Sequence, residues 1–190
     1  MDIKNNKILL IFSGIILFVI IFVVTQRNGL IRSEMVIEAQ WAEIENQLMR
    51  RSELMVGLLQ STRGLMAHET NIINNITESR ARLAGSGSAE ELIEASNQLE
   101  RAFSQFLVVV ENYPDIKADA AFIRLMDEIA GTENRLAAAR RNYNNSVSSF
   151  NIKLRVFPSS MFANSMGMIP KPFFEIPQEA RERPDYDFSF

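Results

Sequence analysis

The chain has 190 residues, of which 47% are hydrophobic, and a formal net charge of −3; this is about the length of one domain, with enough apolar side chains for a core. Its Lys and Arg residues are scattered, so no basic surface for nucleic acid is predicted. It has no cysteine, which excludes disulfides, thiolate nucleophiles and Cys-based zinc or iron–sulfur sites.

A continuous apolar run from Ile8 to Val24 predicts a membrane-spanning helix. At about 1.5 Å per residue the run reaches the lower limit of about 17 residues for a span, and the flanking Lys7 and Arg27 can extend to the two interfaces. A cleaved secretory signal is the competing interpretation, but no pair of small residues follows the run as a cleavage site requires. A buried helix of a soluble protein would carry polar positions on one side. We therefore expect a retained anchor.

The sequence then becomes amphipathic, with one apolar face that is sustained over many helical turns. This pattern predicts a single helix from about Asn28 to Leu83, which contains no proline. Gly57 and Gly64 indicate places where another helix approaches closely. The apolar face, called here the first seam, consists of Ile37, Trp41, Ile44, Leu48, Met55, Leu58, Leu65, Ile72 and Ile76.

A second helix is predicted from Ala89 to Tyr113. The Gly- and Ser-rich stretch at 84–88 breaks the helix before it, and Ser88 followed by Glu91 is a capping-box signature. Pro114 ends this second helix, because the residue before a proline is disfavoured in the helical conformation. Pro114 itself suits the first turn of the next helix.

The third predicted helix runs from Asp115 to about Phe157 and carries two parallel lines of side chains. One is an apolar seam that alternates by four and three residues. The other, displaced from the seam by one residue, is a polar line of Glu133, Arg140, Asn144 and Asn151. The apolar seam consists of Phe122, Leu125, Ile129, Leu136, Ala139, Tyr143 and Phe150, with Thr132 and Ser146 at the remaining steps.

Two charged residues, Arg51 and Glu69, occupy steps of the first seam where aliphatic side chains are expected. A buried charge is tolerated only when it is paired, and these two lie about 27 Å apart along one helix. Their partners must therefore come from another helix, and the polar line of the third helix offers the natural candidates. Three interpretations remain open: a network that fixes helix register inside one bundle, exposure to solvent, and a contact surface between subunits.

From residue 158 onward the composition shifts to Pro, Phe, Met and Ser, which predicts an extended tail with at most a short helical turn around Ser160 to Met166. Near its end Tyr186, Phe188 and Phe190 alternate with polar residues, so an extended strand would present three aromatic rings on one side. This pattern is typical of a segment that docks into a peptide-binding domain. The alternative is that the tail aromatics fold back onto the bundle.

These patterns together predict an all-α chain, with an N-terminal single transmembrane helix followed by an antiparallel bundle of long helices. We assign residues 1–7 to a short flank, 8–26 to the anchor, 27–157 to the bundle and 158–190 to the Pro- and Phe-rich tail. Because the second helix is shorter than its neighbours, we expect some apolar side chains of the seams to be exposed at the ends of the bundle. We expect homo-oligomers that bury these side chains.

Six stretches of the chain together form a distinctive set. They are WAEIENQLMRR from Trp41, the pair His68 and Glu69, ENYPDIKA from Glu111, FIRLMDEI from Phe122, TENRLAAARRNYNNSVSSFN from Thr132, and the pair Phe157 and Pro158. This set resembles the LemA family. The resemblance covers about Asn28 to Phe174 and implies a single-pass membrane protein with a helical bundle and no established catalytic activity; a relative takes part in building bacterial magnetosomes. The chain lacks the proline that the family usually has near residues 53–57, which favours an unkinked first helix.

Nothing in the sequence predicts an enzyme, a cofactor or a metal site. His68 and Glu69 lack the second histidine of the metalloprotease helix motif. The carboxylates of the third helix region lack the Glu-x-x-His pairs of di-iron bundles. Those carboxylates are Glu111, Asp115, Glu128 and Glu133.

Two function classes remain. The favoured one is a membrane-anchored helical scaffold or interaction protein that self-assembles. The alternative is a membrane sensor or signal-transduction component. It would have to act through a separate partner, because the flank at 1–7 is too short for an output domain.

The expected partners are the lipid bilayer, further copies of the chain and, through the tail, a membrane protein or a peptide-binding domain, but no nucleic acid. We expect the bacterial inner membrane, with the bundle outside the cytoplasm, because the α-amino group breaks an even balance of flanking Lys and Arg residues.

Overall fold

The computed structural model describes residues 3–62, 64 and 69–174, with side chains from residue 10 onward. Every regular element in these residues is helical, which confirms the all-α prediction. The helices are α1 (Ile3–Thr62), α2 (Thr70–Gly85), α3 (Ala89–Val110), α4 (Pro114–Lys117), α5 (Ala120–Arg155) and α6 (Ser159–Ser165). The chain divides into two compact units, one formed by α1 up to Gln40 with the residues from Arg141 onward, and the other by Trp41–Arg140.

The N-terminal part of α1 has the length and composition of a membrane span, and it is the only such helix among the described residues. No residue of its apolar stretch is buried inside the protein. Side chains from Leu10 to Val24 point outward along the helix, most of them at least half exposed. A helix that is apolar all round and uncovered by protein is suited to contact with lipid.

The predicted continuous helix from Asn28 to Leu83 is wrong. Helix α1 ends at Thr62, Gly64 lies in a turn, and α2 begins at Thr70. The hydroxyls of Ser61 and Thr62 bond back to the carbonyls of Leu58 and Leu59, a local arrangement that weakens helix continuation. Glycine costs about 1 kcal/mol relative to alanine within a helix, and Gly64 in the turn adds to this weakening.

The chain reverses direction between α1 and α2. Arg51 of α1 pairs with Glu100, whereas Arg82 of α2 donates a hydrogen bond to Gln98, so both helices lie level with the same turn of α3. In one straight helix Arg51 and Arg82 would be about 45 Å apart at 1.5 Å per residue. The unit formed by Trp41–Arg140 therefore contains four long segments in alternating directions instead of the three that the sequence predicted.

The α2–α3 connection follows the predicted capping geometry. Ser88 precedes α3 with an extended backbone, and its hydroxyl accepts a hydrogen bond from the Glu91 amide at 3.2 Å. The Glu91 carboxylate in turn accepts from the Gly87 amide at 2.8 Å. The first bond satisfies an amide that the first turn of a helix leaves without a partner. The second holds the residue before the cap, and together they fix the connection through which α2 packs against α3.

The third predicted helix is divided and slightly shorter than expected. Pro114 opens the short α4, as predicted, but α5 starts only at Ala120, because the Asp119 carboxylate accepts hydrogen bonds from the amides of Ala121 and Phe122. At the other end α5 stops at Arg155, where the Ser159 hydroxyl donates to the carbonyls of Lys153 and Val156. Side-chain caps therefore fix both ends of α5.

Residues of the two apolar seams are buried in the cores of both units. In the Trp41–Arg140 unit the fully buried seam residues include Ile44, Leu48, Met55, Leu58, Ile76 and Leu136. In the other unit the buried residues are Leu30, Ile37, Tyr143, Val147, Phe150, Leu154, Ala163 and Phe174. The expected exposure of seam residues at uncovered bundle ends is not seen in the described residues, because α2 folds back to supply a further helix.

Candidate functional site

A cluster of charges crosses the core of the Trp41–Arg140 unit. The Arg51 guanidinium lies 2.8 Å from the Glu100 carboxylate and 2.6 Å from that of Glu133, so one arginine joins α1 to both α3 and α5. The Arg51 side chain is only 14% exposed, whereas those of Glu100 and Glu133 are 46% and 49% exposed. We call Arg51, Glu100, Glu133 and Arg140 the charged layer.

Arg140 completes the charged layer electrostatically. Burial lowers its pKa, the Glu133 carboxylate opposes this shift, Arg51 adds to the lowering as a like charge, and Glu100 opposes it. The two arginines are therefore balanced by two carboxylates, as a partly buried set of charges requires. The ion pairs of Arg51 connect three helices, α1, α3 and α5, at defined turns.

The structure distributes the sequence-predicted candidates over different places. It brings Arg51 together with Glu133 and Arg140, but Glu69 lies immediately before α2, half-buried, and its side chain does not cap the helix. Sequence reasoning missed Glu100. The signal was present, since Glu100 follows the buried Leu99 directly, just as Glu133 follows the buried Thr132. The one-residue displacement that defined the polar line on α5 therefore also applies to α3.

Asn144 and Asn151 belong to the other unit, where they bind the main chain of the tail. The Asn151 amide group accepts from the Lys171 N–H at 2.9 Å and donates to the Lys171 carbonyl at 2.9 Å. Asn144 does the same with Phe174, at 2.8 Å and 3.1 Å. We call Asn144 and Asn151, together with Tyr143, the tail clamp.

The seven-residue spacing of Asn144 and Asn151 explains why the tail clamp binds an extended chain. Seven residues along a helix rise about 10.5 Å, and three residues of extended chain cover about 10 Å, so two asparagines a heptad apart meet the backbone at Lys171 and at Phe174. Each carboxamide offers one acceptor and one donor, the same pair that a neighbouring strand would offer. The clamp therefore holds residues 171–174 through their main chain, independently of most of their side chains.

Tyr143 adds a third main-chain contact between the two asparagines. Its hydroxyl donates a hydrogen bond to the Pro172 carbonyl at 3.1 Å. Burial raises the pKa of Tyr143, and the nearby Lys171 ammonium opposes this shift. The raised pKa favours the neutral phenol, which is the form that can donate to a carbonyl. Proline lacks an N–H, so the carbonyl is the only main-chain group that Pro172 offers.

Lys171 ties the clamped segment to α1 as well. Its ammonium lies 2.8 Å from the Glu34 carboxylate, and both side chains are about one-third exposed. The buried Phe174 side chain adds an apolar contact at the end of the segment. The tail from Lys171 to Phe174 is thus ordered by one ion pair, five main-chain hydrogen bonds and one buried ring.

Chemistry-bearing clusters are sparse in the residues that the structure describes. No group of three or more His, Asp or Glu side chains suited to a metal ion is found among them. An open groove of about 360 Å³ lies between α2 and α3, and Arg82, Ser86, Glu91, Glu94 and Gln98 contribute to its lining. His68 and the aromatic residues Tyr186, Phe188 and Phe190 lie outside the described residues, so the docking role of the tail end stays a prediction.

The chain is similar to several known proteins. A model of the LemA family matches residues 40–188. The chain is 26% identical to Protein LemA of Metamycoplasma hominis, over 87% of this chain and 75% of that protein.

Two magnetosome proteins are more distant relatives. Identity is 22% to Magnetosome protein MamQ 2 of Paramagnetospirillum magneticum, over 73% of this chain and 60% of that protein. It is 21% to Magnetosome protein MamQ of Magnetospirillum gryphiswaldense, over 72% of this chain and 60% of that protein. The chain therefore spans less than two thirds of the length of these two relatives. The match at 40–188 takes in most of the chain and contains the charged layer and the tail clamp, and on this ground the chain belongs to the LemA family.

Proposed function

We propose that this protein is a membrane-anchored helical scaffold or interaction protein that self-associates. The observation that carries the proposal is α1 itself. Its N-terminal part presents uncovered apolar side chains suited to lipid, and its later turns form part of the helical core. A single helix thus connects lipid contact to a folded domain. A single-pass anchor with a helical domain holds a surface at the membrane and needs no catalytic group for that task.

The names of the relatives are compatible with a structural role. Those from Paramagnetospirillum magneticum and Magnetospirillum gryphiswaldense are called magnetosome proteins, and these names state no reaction. The charged layer and the tail clamp support a structural role here, since both use polar groups to fix helices or chain segments in place.

Self-association requires a surface, and the Trp41–Arg140 unit offers one. Val108 in the last turn of α3 and Ile123 in the first turn of α5 are 64% and 48% exposed. Both flank the connection between the two helices. Large apolar side chains at one end of a bundle are the kind of surface that a second copy of the chain can cover.

Co-purification of two differently tagged copies from mild detergent tests the proposal. We expect each tag to recover the other, and we expect Val108→Lys with Ile123→Lys to reduce that recovery, because two charges would have to be buried. The matched control is Ser104→Lys with Ala130→Lys, which adds the same charges at exposed positions of the same helices. Recovery of a stoichiometric kinase or other signalling protein instead of self copies would favour the sensor alternative and contradict the scaffold.

We also propose that the helical domain lies outside the cytoplasm. Lys4 and Lys7 equal Arg27 and Arg32 in number, but the two lysines lie on average closer to the apolar run, so positive charge is more concentrated on its N-terminal side. Since the chain has no cysteine, a single Ala130→Cys on the exposed side of α5 gives an unambiguous probe. We expect a membrane-impermeant maleimide to label it in cells with an intact inner membrane. Labelling that occurs only after lysis would reverse the orientation.

A further inference from the structure

We infer that α6 and its flanking residues form a second contact with the bilayer, lying on the lipid surface beside the anchor. This surface, called here the foot, consists of Val156, Phe157, Met161 and Ile169. The inference rests on the proposed membrane anchoring and adds to it a site, a ligand class and an orientation. Its ligand is the interfacial region of a phospholipid bilayer.

The foot is exposed to an unusual degree for large apolar side chains that all lie between residues 156 and 169. Val156 is 53% exposed, Phe157 74%, Met161 63% and Ile169 70%. Single exposed apolar residues are common on protein surfaces, but a group of large ones marks a surface that contacts something else. The polar groups around the foot are otherwise well used, since Ser159 and Ser165 bond to nearby carbonyls.

Continuity with the anchor identifies the contact as lipid. The Phe162 ring of α6 packs edge-on against the Phe22 ring of α1, with centroids 6.2 Å apart and planes at 66°. Phe22 stacks in turn on Phe18 at 6.5 Å, and both belong to the apolar run that ends at Val24. Helix α6 therefore lies beside the last turns of the span, at the depth where hydrocarbon gives way to headgroups.

The dimensions of α6 fit that position. It has seven residues, about 10 Å at 1.5 Å per residue, against about 30 Å for the hydrocarbon core. It is far too short to cross a membrane. A short segment with aromatic and aliphatic side chains on its outer side can lie at the interface instead, with the rings at headgroup depth.

The charges near the foot match a headgroup layer. Lys153 and Arg155 are exposed in the last turn of α5, and Arg27 and Arg32 are exposed on α1 just beyond the apolar run. The carboxylate of Glu34 is engaged with Lys171, and the Lys153 ammonium donates to the Ser33 hydroxyl. Basic side chains at this depth attract anionic lipid phosphates, so the foot combines an apolar surface with a cationic margin.

Depth-dependent quenching of full-length single-cysteine variants tests the foot. Each variant carries a bimane label and is reconstituted in vesicles of phosphatidylcholine and phosphatidylglycerol. Met161→Cys probes the foot, Leu17→Cys the anchor and Asn145→Cys an exposed position on α5. Quenchers are lipids with a nitroxide near the headgroup, lipids with a nitroxide near the acyl-chain end, and aqueous iodide.

We expect the label at Met161→Cys to be quenched most by the shallow nitroxide and to be shielded from iodide. The Leu17→Cys label should be quenched most by the deep nitroxide, and the Asn145→Cys label by iodide alone. If iodide alone quenches the Met161→Cys label while lipid nitroxides quench the Leu17→Cys label, the foot does not contact the bilayer, but the N-terminal helix still spans it. Shielding of Met161→Cys from iodide and from both lipids would also overturn the foot, in favour of coverage by a second chain. If iodide and not lipid quenches the Leu17→Cys label, both the membrane anchor and the lipid contact of the foot are contradicted.

Discussion

Replacing Asn144 and Asn151 together with alanine is expected to release the chain segment from Lys171 to Phe174. The two carboxamides make four hydrogen bonds to that segment, and each is worth about 0.5–1.5 kcal/mol net. The loss of roughly 2–6 kcal/mol of local stability corresponds to an increase of about 30-fold or more in the exchange of the Lys171 and Phe174 amide hydrogens. Hydrogen–deuterium exchange of the full chain in detergent, resolved to peptides, measures this directly.

The matched control for this experiment is Asn142→Ala with Asn145→Ala. Both asparagines are exposed on the same helix, and their replacement gives the same gain in helix propensity, about half a kcal/mol per residue. We expect this control to leave the exchange of the Lys171 and Phe174 amides as it is in the parent chain. Equal protection of these two amides in both double variants would show that the tail is held by its side chains and not by the tail clamp.

Replacing Arg51 with methionine is expected to lower the free energy of unfolding by about 1–3 kcal/mol. Methionine keeps the apolar stem that packs in the core, so the change isolates the charge. It leaves Glu100 and Glu133 without the arginine that joins them. Because both carboxylates are about half exposed, water recovers part of the loss, and the estimate stays below that for a fully buried pair. Denaturation followed by the fluorescence of Trp41, the single tryptophan, provides the measurement.

Arg50→Met is the control for the charged layer. Arg50 is the neighbouring residue, its side chain is 59% exposed, and it lies 3.9 Å from Glu128, which is 55% exposed. Ion pairs of this kind contribute about 0–1 kcal/mol, so Arg50→Met should change stability by much less than Arg51→Met. If the two variants lose the same stability, the charged layer has no special part in fixing the helices.

The apolar seams could be predicted from the sequence because they depend on local periodicity alone. Ile44, Leu48 and Leu136 are buried as the four-three spacing indicates. The break after Thr62 could not be predicted in the same way. A glycine at position 64 costs about 1 kcal/mol in a helix, which many helices tolerate. The local features at Ser61, Thr62 and Gly64 only weaken the helix, and what decides the reversal is the packing of α2 against α3, a long-range contact that local periodicity does not encode.

The polar line on α5 was recognised, but its partners were only partly predictable. The pairing of Arg51 with Glu133 follows from charge and from the need to satisfy a buried arginine. The partners of Asn144 and Asn151 are main-chain groups of Lys171 and Phe174, and every residue carries such groups. No side-chain pattern in the tail could therefore identify which residues the tail clamp holds.

The most direct test of the account is whether the N-terminal helix fixes the full chain in a bilayer. Extraction of membranes with alkaline carbonate should leave the protein in the pellet. Ile16→Lys with Ile20→Lys should move it to the supernatant, since each lysine near the middle of a span costs about 2.5–3.5 kcal/mol. The control, Ile31→Lys with Met35→Lys, changes exposed apolar residues of α1 with the same spacing beyond the apolar run, and it should stay in the pellet. Release of the unaltered chain by carbonate, or retention of the Ile16→Lys and Ile20→Lys variant in the pellet, would contradict a membrane-spanning anchor.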